Sequence, residues 1–209
     1  LMSKGQSLVR LKYELERFVV PKLVVFKADK LKINSDLALQ QVKDFFDGRP
    51  IVVRSSAADE DGTQNACAGE YDSVLNVSST DSEAIRAAIA TVIASYERKG
   101  PRTGQDEVIV QEMVLNTSIS GVVFTHDLNS GAPYYVINYD DVSGLTNTVT
   151  SGDGEYANRT LYIHRGAVQA LRSKRFQRLM PAIQELEQIM GSQFLDVEFA
   201  LSEDYTPYL

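Results

Sequence analysis

Ile51-Val52-Val53-Arg54-Ser55-Ser56-Ala57-Ala58-Asp59-Glu60-Asp61-Gly62, followed by Cys67-Ala68-Gly69-Glu70-Tyr71-Asp72-Ser73-Val74-Leu75-Asn76-Val77, is the stretch of this chain richest in chemistry. A β-branched run leads into one arginine, two hydroxyls, an acidic cluster and a glycine. A second small-residue turn precedes another strand. A guanidinium offers a planar fork of donors, and small hydroxyl and glycine positions let backbone N–H groups approach phosphate oxygens. Arg54, Ser55, Ser56 and Gly69 are therefore candidate phosphate contacts, and the plainer alternative is a surface turn with a solvated arginine.

Around this stretch the periodicity predicts further elements. Leu8, Leu11, Leu15 and Phe18 fall at helical spacing over residues 5–18, a helix ending before Pro21. Residues 23–26 read as a strand. Asn34 or Ser35 caps a second helix with Leu39, Val42 and Phe46 on one face, closed by Gly48 and Pro50. Thr80-Asp81-Ser82-Glu83 has the form of a capping box, and Ile85, Ala88, Ile89, Val92 and Tyr96 then face inward. Beyond Gly100-Pro101 the segments 108–114, 120–124, 134–139 and 160–164 are β-rich and separated by turn residues. A last helix over 173–190 places Phe176, Leu179, Ile183, Leu186 and Met190 on one face; Pro181 either kinks it or begins a second piece. The strand 194–201 follows Gly191. The pattern predicts an α+β fold in two lobes, residues 1–105 and 106–209.

Three further clusters carry chemistry. Lys4 beside Gly5 precedes a helix, where an ammonium adds to the positive end of the dipole and suits an anion. An ordinary exposed lysine is the plainer reading. Gln111, Glu112, Met113 and Val114 end a strand and offer the polar edge and apolar faces that a nucleobase needs, although Met113 and Val114 also read as core. In the strand Asp196-Val197-Glu198-Phe199-Ala200-Leu201, Asp196 and Glu198 share one face. Two carboxylates side by side suit Mg²⁺ carrying substrate phosphates, which takes one or two carboxylates and keeps other oxygen ligands; a solvent-facing acidic strand is the alternative. His126 and His164 lack a nucleophile partner, Cys67 reads as packing, and Arg172, Lys174, Arg175 and Arg178 read as a solvated helix face.

The chain has 209 residues, 44% hydrophobic and 23% charged, which predicts a packed core rather than disorder. A net charge of −7 and a pI near 4.9 argue against a nucleic-acid partner, so any phosphate site must be local. A single cysteine, no apolar run of the roughly 20 residues that span a bilayer, and a start without a signal-peptide core lead us to expect a cytoplasmic, membrane-free protein.

Taken in order, these clusters resemble the ATP-grasp nucleotide-binding domain of the pyruvate phosphate dikinase and phosphoenolpyruvate synthase family. Val53-Arg54-Ser55-Ser56-Ala57, Ala68-Gly69, Leu75-Asn76-Val77, Ile109-Val110-Gln111-Glu112-Met113-Val114, Ser120-Gly121-Val122-Val123-Phe124-Thr125 and Asp196-Val197-Glu198-Phe199-Ala200 carry the resemblance, with Ser3-Lys4-Gly5-Gln6-Ser7-Leu8 as a weaker match. The resemblance implies ATP held between two lobes. Lys4 and Arg54 would then be catalytic residues holding phosphates, Gln111, Glu112, Met113 and Val114 would line the adenine pocket, and Asp196 with Glu198 would bind Mg²⁺. It implies phosphoryl transfer from ATP to a histidine on a separate phosphocarrier domain, and from there to an acceptor held elsewhere. A nucleotide-sensing module, or the ATP half of a phosphotransferase acting on a sugar or other alcohol, are the alternatives. Departures exist too. The family's Gly-Leu-Gly-Glu appears as Gly144-Leu145-Thr146-Asn147, residues 19–50 are short, and the family's Leu-Gln-x-Arg motif would begin where the sequence stops. A truncated domain that binds ATP weakly is the expectation.

Overall fold

The computed structural model describes residues 2–33, 35–57, 72–98, 104–146, 149 and 159–209. The chain divides into two compact units, one made of Leu1–Tyr13 with Pro21–Met113 and the other of Glu14–Val20 with Val114–Leu209.

In the first unit, α1 (Lys4–Glu14), β1 (Leu23–Lys27), α2 (Ala28–Ile33), α3 (Ser35–Phe46), β2 (Pro50–Ser56), β3 (Ser73–Ser78), α4 (Ser82–Glu97) and β4 (Glu107–Glu112) follow in that order. The sheet is antiparallel throughout, in the order β1-β4-β2-β3. One of its faces packs on α3 and α4. Leu39, Val42, Phe46, Ile85, Ala88, Ile89, Val92 and Tyr96 come from the helices, and Ile51, Val53, Val108 and Val110 from the strands. These helical positions are the ones the 3.6-residue period selects, because only one face of each helix meets the sheet.

Local chemistry revises some expected boundaries. The carboxylate of Asp81, not the hydroxyl of Thr80, caps α4 by accepting the N–H groups of Glu83 and Ala84 at 3.0 and 3.1 Å. Thr80 instead shares a 3.0 Å hydrogen bond with Ser78. Helix α1 stops at Glu14, well before Pro21, and six-residue α2 is too short to show a helical period. The division expected at residues 105 and 106 fails for β4, because that strand hydrogen-bonds to both β1 and β2 and so belongs to the first sheet.

The second unit holds β5 (Thr117–Phe124), β6 (Tyr134–Asp140), β7 (Arg159–His164), a 3₁₀ helix (Arg165–Ala170), α5 (Leu179–Met190), β8 (Asp196–Ser202) and β9 (Pro207–Tyr208). Its antiparallel sheet runs β7-β6-β5-β8-β9. Residues 14–20 join it: the Val19 N–H donates to Pro207 O at 2.9 Å, and the Leu209 N–H donates to Val19 O at 3.0 Å. The Glu185 carboxylate accepts the Glu16 and Arg17 amides at 3.2 and 2.9 Å. Pro181 lies in the first turn of α5, where its missing N–H costs no intrahelical bond, so it begins the helix rather than kinking it. Gly191 ends α5 in the left-handed conformation that glycine adopts without strain. Met190, expected to face inward, is exposed because it sits in the final turn beside Gly191. Among the described residues no helix is long and apolar enough to cross a membrane.

A buried ionic knot locks α5 to this sheet. Arg165 grips Glu187 with two nitrogens at 2.6 and 3.1 Å and donates to Thr125 O at 2.9 Å, and its guanidinium lies 4.5 Å from the Tyr135 ring centroid. The Tyr135 hydroxyl also donates to Glu187, at 2.8 Å. Burial, then the hydrogen bond to Glu187, pushes the Tyr135 phenol up to about 12. Removing one partner of a buried pair strands the other charge. Glu187→Ala is therefore expected to destabilise the second unit by about 3–5 kcal/mol in denaturant titrations, with Arg165→Met in the same chain recovering part of the loss.

Candidate functional site

Opposed residues of antiparallel strands share a face, so register shows which polar side chains of the first unit stand together. Lys27, Glu107 and Ser56 form one row across β1, β4 and β2. Val25, Ile109, Arg54 and Ser73 form the next, and Leu23, Gln111 and Val52 the third. Arg54 and Gln111 thus stand on one face, opposite the helix-packed core. Helix α1 begins over this face: the Gly5 N–H donates to Ser56 Oγ at 3.0 Å, and a Cβ on Gly5 would come within 2.9 Å of Val25 Cγ1.

The same alternation separates the two serines expected to join Arg54 at phosphate. Ser55 is opposed to Val108 and turns toward the helix-packed core, away from Arg54. Ser56 is on the right face but 0% exposed. Its hydroxyl receives the Gly5 amide, and its own N–H donates to the Tyr96 hydroxyl at 2.9 Å. The Ser56 hydroxyl thus serves to dock α1 on the sheet. Gly69 and Cys67 lie outside the described residues, as do Asn147 and most of the loop after Ala57.

At the start of α1 the structure supplies its own anion. Glu107 is 2% exposed. Its carboxylate accepts the Ser3 hydroxyl at 2.5 Å, the Gln6 amide at 2.9 Å and the Lys27 ammonium at 2.8 Å. Ser3 Oγ meanwhile accepts the Gln6 N–H at 3.2 Å and so caps the helix whose first residue is Lys4. The first turn of α1, which the sequence suggested for a phosphate, has the Glu107 carboxylate beside it, and its Gly5 and Gln6 amides are given to Ser56 and Ser3. Sequence reading missed this residue, since an acid opening an apolar strand shows no partners until β1, β2 and α1 are assembled around it.

The four residues expected at an adenine divide as well. Gln111, 5% exposed, shares the Arg54 face. Glu112 is opposed to Ile51 on the other side, and its carboxylate is engaged by Arg49. Its side chain is therefore not available to a base on the Arg54 face. The Glu112 and Met113 amides donate to Lys22 O at 2.8 Å and Pro50 O at 3.0 Å, and Met113 Sδ accepts the Asn76 N–H at 3.0 Å. The next amide, Val114, has no hydrogen-bond partner among the described residues.

In the second unit, Asp196 and Glu198 sit on one face of β8 while Val197 and Phe199 are buried on the other. Register extends that carboxylate face across the sheet. Glu198 is followed by Val122, Asn138 and Thr160, and Asp196 by Phe124, Val136 and Tyr162. The segment after β6 is tied to the same face. The Ser120 hydroxyl donates to Leu145 O at 2.6 Å, and Asp140 accepts the Val142 and Ser143 amides at 2.8 and 3.0 Å. Two adjacent carboxylates fit a magnesium ion that takes its remaining ligands from phosphate and water. Among the described residues no cluster of three or more His, Cys, Asp or Glu forms a metal cage. His126 stacks on Phe194 and His164 receives the Gly166 N–H, so both histidines are structural. Arg175 and Arg178 pair with Asp141 and Asp204.

Comparison with known proteins matches residues 29–155, more than half of the chain, to the family model "pyruvate phosphate dikinase, AMP/ATP-binding domain". The chain belongs to this family. It is 28% identical over 207 residues to the prodigiosin synthesizing transferase PigC of Serratia marcescens, an alignment covering 81% of this chain and 23% of that protein. The chain thus spans less than a quarter of the curated relative's length. Among solved structures, D-alanyl-alanine synthetase A from Vibrio cholerae superposes with a TM-score of 0.50 at 14% identity, covering 99% of this chain and 53% of the other. A dinucleotide-forming acetyl-coenzyme A synthetase 1 from Ca. Korarchaeum cryptofilum gives 0.51 at 11% identity, covering 99% and 85%. These likenesses establish an ATP-grasp-like α+β fold. The family match encloses Arg54 and Gln111 to Val114, whereas Lys4, Asp196 and Glu198 fall outside it.

Glu107 gives the first unit a pH signature. Burial pushes its carboxyl up, but hydrogen bonds from Lys27, Ser3 and Gln6, with the charge of Lys27, outweigh burial and hold it below its ordinary value of 4.5. Between the folded and unfolded values the unfolded chain binds more protons, so stability rises with pH there. The first unit is expected to lose stability as pH falls from 4.5 through the lower folded value. Urea midpoints measured across that range should fall in the parent chain and stay flatter in Glu107→Gln.

Proposed function

We propose that this chain is the ATP-binding part of a phosphoenolpyruvate synthase-like phosphotransferase, which passes a phosphoryl group from ATP with Mg²⁺ to a histidine on a separate domain. The observation that carries the reading is the common face of Arg54 and Gln111 in the first sheet, inside the stretch that matches the AMP/ATP-binding family. Arg54 supplies a fixed, always-charged fork for phosphate oxygens. The extended backbone from Gln111 to Val114 supplies the base-reading edge, with the Val114 amide as its donor. Lys4 adds a second cation. Asp196 and Glu198 hold the magnesium, whose role when bound is to neutralise charge on the transferring phosphates.

Phosphoryl transfer asks little covalent chemistry of the protein. Positioning and charge neutralisation supply most of the rate, and the accepting histidine belongs to another part of the system. Ser55 and Ser56 have no direct part in this scheme. A second reading keeps the ATP half and changes the acceptor: the phosphoryl group activates a small molecule other than pyruvate. The description of the Serratia marcescens relative as a prodigiosin synthesizing transferase favours it.

Arg54→Ala should weaken ATP binding by a factor of about 10 to 150, the equivalent of about 1.5–3 kcal/mol for a hydrogen bond to a charged group. Adenosine binding should stay unchanged. Calorimetry with both ligands checks this, and equal losses for the two would defeat the phosphate role. Asp196→Asn combined with Glu198→Gln is expected to abolish the strengthening of ATP binding by Mg²⁺ while leaving metal-free ATP binding in place. An unchanged Mg²⁺ response would remove these carboxylates from the metal site.

A further inference from the structure

The strongest unassigned feature is the polar junction where α1, β1, β2, β4 and α4 meet. Glu107 receives Ser3, Gln6 and Lys27; Ser56 receives the Gly5 amide; and the Tyr96 hydroxyl bridges the Ser56 N–H to the Glu107 carbonyl. Lys4 sits between Ser3 and Gly5, each held at this junction. An unsupported first helical turn leaves its amides without partners and frays readily. Here the residues on both sides of Lys4 are tied to strand ends instead. Ser56, the anchor for Gly5, lies two residues beyond Arg54 on the same face of β2.

We propose that Glu107 is a positioning residue for the phosphate end of the nucleotide: an internal anion that ties the Ser3 and Gln6 side chains at the start of α1 and so sets Lys4 in place relative to Arg54. This rests on the ATP-binding reading given above. The nucleotide's phosphates then meet side-chain cations, not the helix terminus. The sign of the effect separates positioning from simple electrostatics. Neutralising Glu107 makes its surroundings more positive, which by charge alone would strengthen the binding of a polyanion. Loss of positioning weakens it.

The test measures ATP and adenosine binding by calorimetry for the parent chain, Lys4→Ala, Glu107→Gln, their double variant and Ser3→Ala. The latter removes one donor to Glu107, along with the cap on the Gln6 N–H, and leaves the charge of Glu107 intact. Glu107→Gln is expected to weaken ATP binding about fivefold or more while adenosine binding changes less than twofold. Ser3→Ala should give a smaller loss of the same sign. Lys4→Ala should cost less in the Glu107→Gln background than alone, because Glu107 acts through Lys4. A tighter grip on ATP, parallel losses of ATP and adenosine, or additive effects of the two substitutions overturn the positioning role. If Glu107→Gln does not fold, Ser3→Ala decides, and an unchanged ATP affinity there overturns the proposal. If the parent chain binds ATP in an Arg54-dependent way and these outcomes still go against Glu107, only this inference falls. If the parent binds no ATP, the underlying reading falls with it.

Discussion

A carboxylate almost wholly removed from water must be surrounded by donors or give up its charge, and Glu107 meets that demand with Lys27, Ser3 and Gln6. Satisfying one buried group therefore brings together the ends of two strands and the first turn of a helix. The helix gains a cap and an anion at its positive end. Gly5 can lie this close because a side chain there would press on Val25 and on Glu107 itself. This single charge stands one row from Arg54 on the same face of the sheet.

Strand alternation is the second constraint. Arg54 and Ser55 are neighbours in sequence but serve opposite sides of the sheet, one facing α1 and the other the core of α3 and α4. The second unit obeys the same rule. There the Arg165–Glu187–Tyr135 knot and α5 hold one face, and Asp196 and Glu198 are left to the other. Each sheet thus packs its helices α3 and α4, or α5, on the face opposite its candidate ligand groups.

Much of this was legible in the sequence. The inward residues of α4, the strands β1, β2, β6 and β7, and the alternation that pairs Asp196 with Glu198 all follow from periodicity, because a buried face must repeat at the period of its element. The Arg54 stretch and the order of the clusters pointed to the family that the comparison then established. What stayed hidden depended on register. Nothing in the Ser55-Ser56 pair says that one hydroxyl faces the core and the other receives a helix amide. Glu107 fell at the proposed lobe boundary, since its partners lie in α1 and β1, far away in sequence. The caps show the finer limit: Thr80 and Asp81 both suit an N-cap, and only the backbone path into α4 selects Asp81.

The passage of residues 14–20 into the second unit has a topological consequence. The backbone passes from one unit to the other three times, after Tyr13, after Val20 and after Met113. Cutting the chain after Met113 would leave residues 14–20, which belong to the second unit, on the fragment that carries the first. Neither unit is a continuous segment of sequence, so a gene fragment ending at Met113 would encode the first unit together with residues 14–20, where Val19 would lack its partners Pro207 and Leu209. Dissection at the apparent boundary would yield a fragment with an unsatisfied edge. The two units are therefore to be expressed together, as one piece.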